Sequence, residues 1–181
     1  MKNLKEKHKV HNEAINSLYD QYQELDRIIQ LTSSHLFKGK LILAGNGGSA
    51  ADAQHVAAEL TGRFKIERNA LPAIALTVDT SAITAIGNDF GFENIFTRQF
   101  EAIRCSEDLL WIFSTSGNSK NLVTLTKSAK QYGLKVVGFL GCNGGVLKPL
   151  VDHSIIVNSD QTDIIQEIHI FLFHYIIDQI E

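Results

Sequence analysis

Leu41-Ile-Leu-Ala-Gly-Asn-Gly-Gly-Ser-Ala-Ala-Asp-Ala-Gln-His-Val-Ala-Ala-Glu59 decides the fold. It passes from an apolar run through Gly45-Asn46-Gly47-Gly48-Ser49 into an alanine-rich helix carrying His55 and Glu59. A buried strand that feeds a glycine loop into a helix is a unit of a parallel sheet. Free N–H groups and the dipole at the helix start make the loop an anion site. Four-residue spacing puts His55 and Glu59 on one helix face, as a metal-or-base pair. Together these features point to a phosphorylated substrate and proton chemistry. A solvated surface pair is the plainer reading of His55 and Glu59. Ala50, Ala51, Ala53, Ala57 and Ala58 weigh against it, because a helix of small residues packs closely.

Four more apolar runs follow, at Ala73–Val78, Leu109–Phe113, Lys135–Leu140 and His153–Val157. With Leu41–Ala44 they predict five short strands that do not alternate polar and apolar, the mark of a parallel sheet covered on both faces. Helices are expected at about 49–62, 80–104, 119–132 and 160–181. Residues from about 10 to 36 contain no proline or glycine. They carry Ile15, Leu18, Tyr22, Leu25, Ile28 and Ile29 at helical spacing, so a helical segment ending near 36 is expected. The fold expected is an α/β three-layer sandwich with a five-stranded parallel sheet and an added N-terminal helix, within a single domain over 1–181. The N-terminal helix needs a partner for its apolar face, either the body of the domain or a second subunit.

In such sheets ligands sit beyond the carboxyl ends of the strands. Three of those ends carry small or polar residues: Gly45–Ser49, Ser114–Ser119 and Gly141–Gly145. Gly45-x-Gly47-x-x-Ala50 also fits a dinucleotide fingerprint, which requires an acid ending the next strand. Glu67 precedes that strand and Asp79 lies too far on, so nicotinamide binding is not favoured. In Ser114-Thr115-Ser116-Gly117-Asn118-Ser119, four hydroxyls gather after a buried strand and before a helix, which suits a phosphate dianion. Capping by Ser116 or Asn118 is the alternative. Asn88-Asp89-Phe-Gly-Phe92 breaks the 80–104 stretch, where Asp89 either caps the second piece or serves a ligand.

On the last helix Gln166, His169 and His174 stand among Ile, Phe, Leu and Tyr. From Gln166, His169 lies about −60° and His174 about +80° round the helix, with His174 about 12 Å away along the axis. One metal bridges Gln166 and His174 only if both lean inward, or if His174 comes from a neighbouring copy.

The composition is 44% hydrophobic and 20% charged with a net charge of −3, which describes a globular chain without a nucleic-acid surface. Cys105 and Cys142 show no ligand spacing, and two free thiols fit a reducing compartment. The charged N-terminus has no apolar run behind it, and the 164–180 helix is too polar for a membrane span. A cytoplasmic protein is expected.

Taken together, Gly-Asn-Gly-Gly-Ser at 45–49, Asp-Ala-Gln-His at 52–55 and Ala-Glu-Leu-Thr-Gly-Arg-Phe at 58–64 carry a resemblance. Gly-Asn-Asp-Phe-Gly-Phe at 87–92, Ser-Thr-Ser-Gly-Asn-Ser at 114–119 and Ile-Gln-Glu-Ile-His-Ile at 165–170 extend it. The chain resembles the bacterial phosphoheptose isomerases, a family within the sugar-isomerase (SIS) domain superfamily. The resemblance implies interconversion of sedoheptulose 7-phosphate and D-glycero-D-manno-heptose 7-phosphate through an enediol. It also implies a homotetramer with sites between subunits, zinc as cofactor, and a role in making heptose precursors of envelope polysaccharide. By the same resemblance Asn46, Gly47, Gly48 and Ser49 contact substrate, Asn88 and Asp89 hold sugar hydroxyls, and Ser114, Thr115, Ser116 and Ser119 hold phosphate. His55, Glu59, Gln166 and His174 form the zinc set, Glu59 and His174 are catalytic, and Asp163 and Gln166 touch substrate. His169 falls outside the set. The alternative is a related non-catalytic regulator that binds a replication initiator or a sugar phosphate. Such regulators lack equivalents of Glu59 and His174, and this chain has both.

Overall fold

The computed structural model describes residues 3–181; Met1 and Lys2, the start of the N-terminal segment, lie outside the described residues. Five parallel strands, β1 (Leu41–Gly45), β2 (Ala73–Ala75), β3 (Leu109–Ser114), β4 (Lys135–Gly141) and β5 (His153–Val157), form one sheet in the order β2-β1-β3-β4-β5. Registers such as Leu43 with Trp111 and Phe113 with Phe139 align the strands. Alternate residues leave opposite faces of a strand, which explains why the strands are apolar throughout. Leu41, Leu43, Trp111, Phe113, Phe139, Ile155 and Val157 pack one core layer. Ile42, Ala44, Leu110, Ile112, Val136 and Leu140 pack the other. The sheet is therefore the middle of an α/β three-layer sandwich.

Helices α1 (Leu4–Asn16), α2 (Tyr22–Leu36), α3 (Gly48–Thr61) and α7 (Thr162–Ile180) cover the first face. The second is covered by α4 (Thr80–Phe90), α5 (Ile95–Ile103) and α6 (Lys120–Gln131). Helix α3 follows β1 onto one face and α6 follows β3 onto the other. Adjacent strands whose helices depart in opposite directions leave a crevice at their carboxyl ends.

Three expectations change. The N-terminal helix begins at Leu4 and breaks between Asn16 and Tyr22 around a short 3-10 turn, Tyr19–Gln21. The break has a tertiary cause. Gln21 Nε2 donates to the Ile156 carbonyl and its Oε1 accepts from the Ile156 N–H, both at 2.8 Å, so a side-chain amide closes the open edge of β5. Second, β2 stops at Ala75, because the chain turns there to place Asp79 at the N-cap of α4, where its carboxylate accepts from the Ala82 N–H at 2.9 Å. That contact accounts for Asp79 and removes it as a ribose ligand. Third, the expected break in the 80–104 stretch falls at Gly91, φ 86°, but Asp89 ends the first piece rather than capping the second. None of the described helices is long and apolar enough to cross a membrane.

Candidate active site

The crevice between β1 and β3 is built from two loops. After β1, Gly47 takes φ 58° and ψ −123°, a conformation that side chains disfavour, to start α3 without a side-chain cap. At Gly48 a Cβ would fall on the side-chain amide of Gln166, so the absent side chain is what lets α7 approach the start of α3.

After β3, Ser114 Oγ accepts from the Gly117 N–H at 3.1 Å and lies 3.4 Å from Ser119 Oγ. Ser116 Oγ accepts from the Asn118 N–H at 3.2 Å. Ser119 occupies the cap position of α6, yet its hydroxyl bonds no backbone group there. The four-hydroxyl loop is thus shaped by its own serines and does not cap the helix. Asn118 Oδ1 accepts from the Val146 N–H at 3.0 Å and pins the loop to the segment after β4.

Asn46 and Asn121 exchange two amide hydrogen bonds, 3.0 and 2.7 Å, across the crevice. An open cleft of about 460 Å³ lies there, lined by Asn46, Gly47, Phe92, Glu93, Ser119, Lys120 and Asn121. Sequence reading picked out Asn46, Gly47 and Ser119 but missed the other four as site residues. Lys120 and Asn121 directly follow the hydroxyl loop, and that adjacency was the available signal. Asn88 and Asp89 sit exposed at the end of α4, bonded to each other at 2.8 Å and outside the lining of the cleft. Asp163, in the first turn of α7, is ion-paired with Lys7 of α1, and the ammonium holds its carboxyl below the usual range.

Two turns along α3 a second constellation forms. His55, Glu59 and His174 offer ligand atoms that all lie within 4.8 Å of one another. His55 Nε2 is 3.1 Å from Glu59 Oε1 and 3.3 Å from His174 Nε2. Four ligands about 2.0–2.1 Å from a zinc ion stand about 3.3 Å apart along a tetrahedral edge; the two separations from His55 match that edge, and all three donors are of the kind zinc takes. The same chain supplies all three, and no neighbouring copy is needed to bring His174 in. Gln166 stays beside Gly48, about 10 Å up the axis from His55.

Aromatic rings shape this cluster. Phe64 stacks on His174 with centroids 5.1 Å apart and planes 7° from parallel, and Phe173 packs edge-on against His55 at 5.1 Å. Burial lowers the pKa of His174, helped by neighbouring His55 and against the pull of Glu59. Its imidazole is therefore kept neutral with a lone pair to offer. His169 points away into the core between Phe113 and Phe139, fully buried, and burial takes it down to about 4.

Residues 9–141 match the SIS domain family. The phosphoheptose isomerase of Campylobacter concisus is 51% identical over 183 residues, covering 100% of this chain and 95% of the relative. That of Helicobacter pylori strain P12 is 50% identical over 173 residues, covering 94% and 90%. The chain belongs to the phosphoheptose isomerase family. Within the family, the solved Neisseria gonorrhoeae enzyme superposes with a TM-score of 0.86 at 40% identity, over 95% of this chain and 91% of that one. The curated relatives are named as isomerases, so the regulator reading is not favoured.

Proposed function

We propose that this chain is an aldose–ketose isomerase that converts sedoheptulose 7-phosphate to D-glycero-D-manno-heptose 7-phosphate through an enediol, supplying heptose for envelope polysaccharide. The observation that carries the chemistry is the convergence of His55 and Glu59 of α3 with His174 of α7, two turns along α3 from a cleft lined by Asn46, Gly47 and Ser119. Relatives about half identical over nearly the full chain bear the isomerase name.

The hydroxyls of Ser114, Thr115, Ser116 and Ser119 and the backbone of Asn46, Gly47, Gly48 and Ser49 take the phosphoryl end. Asn88, Asp89, Asp163 and Gln166 take sugar hydroxyls. Anchoring one end turns proton transfer at the other into a near-unimolecular step. Glu59 has one oxygen toward His55, while Oε2 has no hydrogen-bond partner among the described residues. That free oxygen takes the proton α to the carbonyl and returns it to the neighbouring carbon. His174, kept neutral, exchanges the hydroxyl proton. His55, Glu59 and His174 would hold zinc, whose charge would polarise the substrate oxygens and stabilise the enediolate, while Gln166 stays beside Gly48 on the substrate side.

We further propose a cytoplasmic homotetramer with active sites between subunits. Tyr19, Tyr22, Phe171 and Tyr175, each at least 41% exposed, line an apolar groove of about 530 Å³ between α2 and α7, a surface suited to a second copy of this chain. Incubating the purified protein with C5, C6 and C7 ketose phosphates tests the substrate: aldose should appear fastest from the C7 compound. No aldose from any of them would refute the catalytic reading. Sedimentation gives the assembly directly, and a monomer would refute the tetramer.

A further inference from the structure

Between α3 and β2, residues 62–68 wrap around a single carboxylate, that of Glu181 at the end of α7. Its Oε1 accepts from the Phe64 N–H at 2.9 Å and from Arg68 Nε at 3.0 Å. Its Oε2 accepts from the Lys65 N–H at 2.8 Å and the Ile66 N–H at 3.2 Å. Arg68 also donates to the carbonyls of Glu59 at 2.8 Å and Leu60 at 3.0 Å, the last turn of α3. Only 3% of the Glu181 side chain and 12% of that of Arg68 are exposed. Lys65 adds an ion pair to Asp178 at 2.8 Å. Three successive backbone amides and a guanidinium on one hidden carboxylate form a closed anion nest. Neither the reaction outlined above nor the core packing calls for it.

We propose that Glu181 and Arg68 are positioning residues for the His55–Glu59–His174 cluster, fastening the end of α3 to the end of α7 and holding Phe64 flat against His174. The inference rests on the site reading given under Proposed function. The three donors come from two helices, so any slide or roll of one helix separates them. The latch sits where that motion is resisted. Arg68 grips the carbonyl of Glu59 itself, and Glu181 follows His174 by seven residues, about 10 Å along α7. The amide that Glu181 holds first is that of Phe64, whose ring covers His174.

Glu181→Gln and Arg68→Lys test this with little change in size. Glutamine turns an NH2 toward the nest and breaks at least one of the three amide contacts; lysine keeps the charge but loses the fork. In metal-free protein with labelled histidine, the His174 Hε1 resonance is displaced by the Phe64 ring current and is assigned by its loss in His174→Ala. It should move in Glu181→Gln toward its position in Phe64→Ala. Zinc affinity, read by competition with a chromogenic chelator, should fall about 10–100-fold, as when outer partners of metal ligands are removed. The kcat should fall while KM stays within about twofold. Variants that melt earlier but keep the His174 resonance and the zinc affinity of the parent would overturn the proposal. Zinc affinity unaffected by His174→Ala would instead refute the metal reading, and the resonance would still judge the latch.

Discussion

His55 Nε2 and His174 Nε2 face each other at 3.3 Å across the packed helices α3 and α7. Two imidazole nitrogens meet this closely only when a proton or a cation lies between them. A cation that binds the folded chain alone stabilises it by mass action. Zinc at a hundredfold excess over its Kd should raise unfolding stability by about 2.7 kcal/mol. Calorimetry with and without zinc checks this, and His174→Ala should remove most of the gain. Chelation should likewise abolish turnover and added zinc restore it.

Glu59→Gln keeps the shape of the side chain and removes the base. Turnover should fall about 10²–10⁴-fold, the usual worth of a positioned base. Assembly and phosphate affinity should stay at parental values. Steady-state kinetics and inhibition by inorganic phosphate separate the two effects. A near-normal kcat would remove Glu59 from proton transfer.

The Asn46–Asn121 exchange clamps the mouth of the cleft, and Asn121 Oδ1 also accepts from the Leu122 N–H at 2.9 Å. Asn121→Ala leaves the Asn46 amide without its partner, a loss of about 1–3 kcal/mol. Thermal unfolding should shift down, and KM should rise more than kcat falls.

His169 and Asp52 give opposite pH signatures. His169 is fully buried, and burial lowers it to about 4 against a weak backbone contact with Leu140. The unfolded chain then binds a proton that the folded chain refuses, so stability is lost as pH falls from about 6.5 to 4, by about 3 kcal/mol. His169→Leu should abolish that loss. Asp52, 4% exposed and with Oδ2 unpartnered among the described residues, is raised to about 7 by burial. Here the folded chain holds the proton more tightly, so the penalty grows from about pH 4 to 7, toward about 4 kcal/mol. Asp52→Asn should therefore stabilise at pH 8 and make no difference near pH 4. Denaturant titrations across pH read both curves.

The strands were legible because each is apolar on both faces, and the glycine loop after β1 announced its helix. The pairing of His55 with Glu59 followed from spacing alone. Convergence of His174 did not, since its place opposite His55 depends on how α7 crosses α3, which the register of neither helix reveals. The break at Ser17–Gln21 was hidden for a similar reason: no proline or glycine marks it, and a contact 135 residues away causes it. Phe92, Glu93, Lys120 and Asn121 were passed over because a cleft is a property of two loops meeting, whereas motifs are read one loop at a time.

The amide of Gln21 against β5 bears on how the chain reaches its native state. A sheet margin left bare is a template for other chains. During synthesis from the N-terminus, Gln21 emerges 135 residues before Ile156. The guard is thus already made when the last strand appears, and the interval in which nascent neighbours could zip onto that margin is short. Gln21→Ala should accordingly leave the mature protein active while lowering the soluble yield during expression.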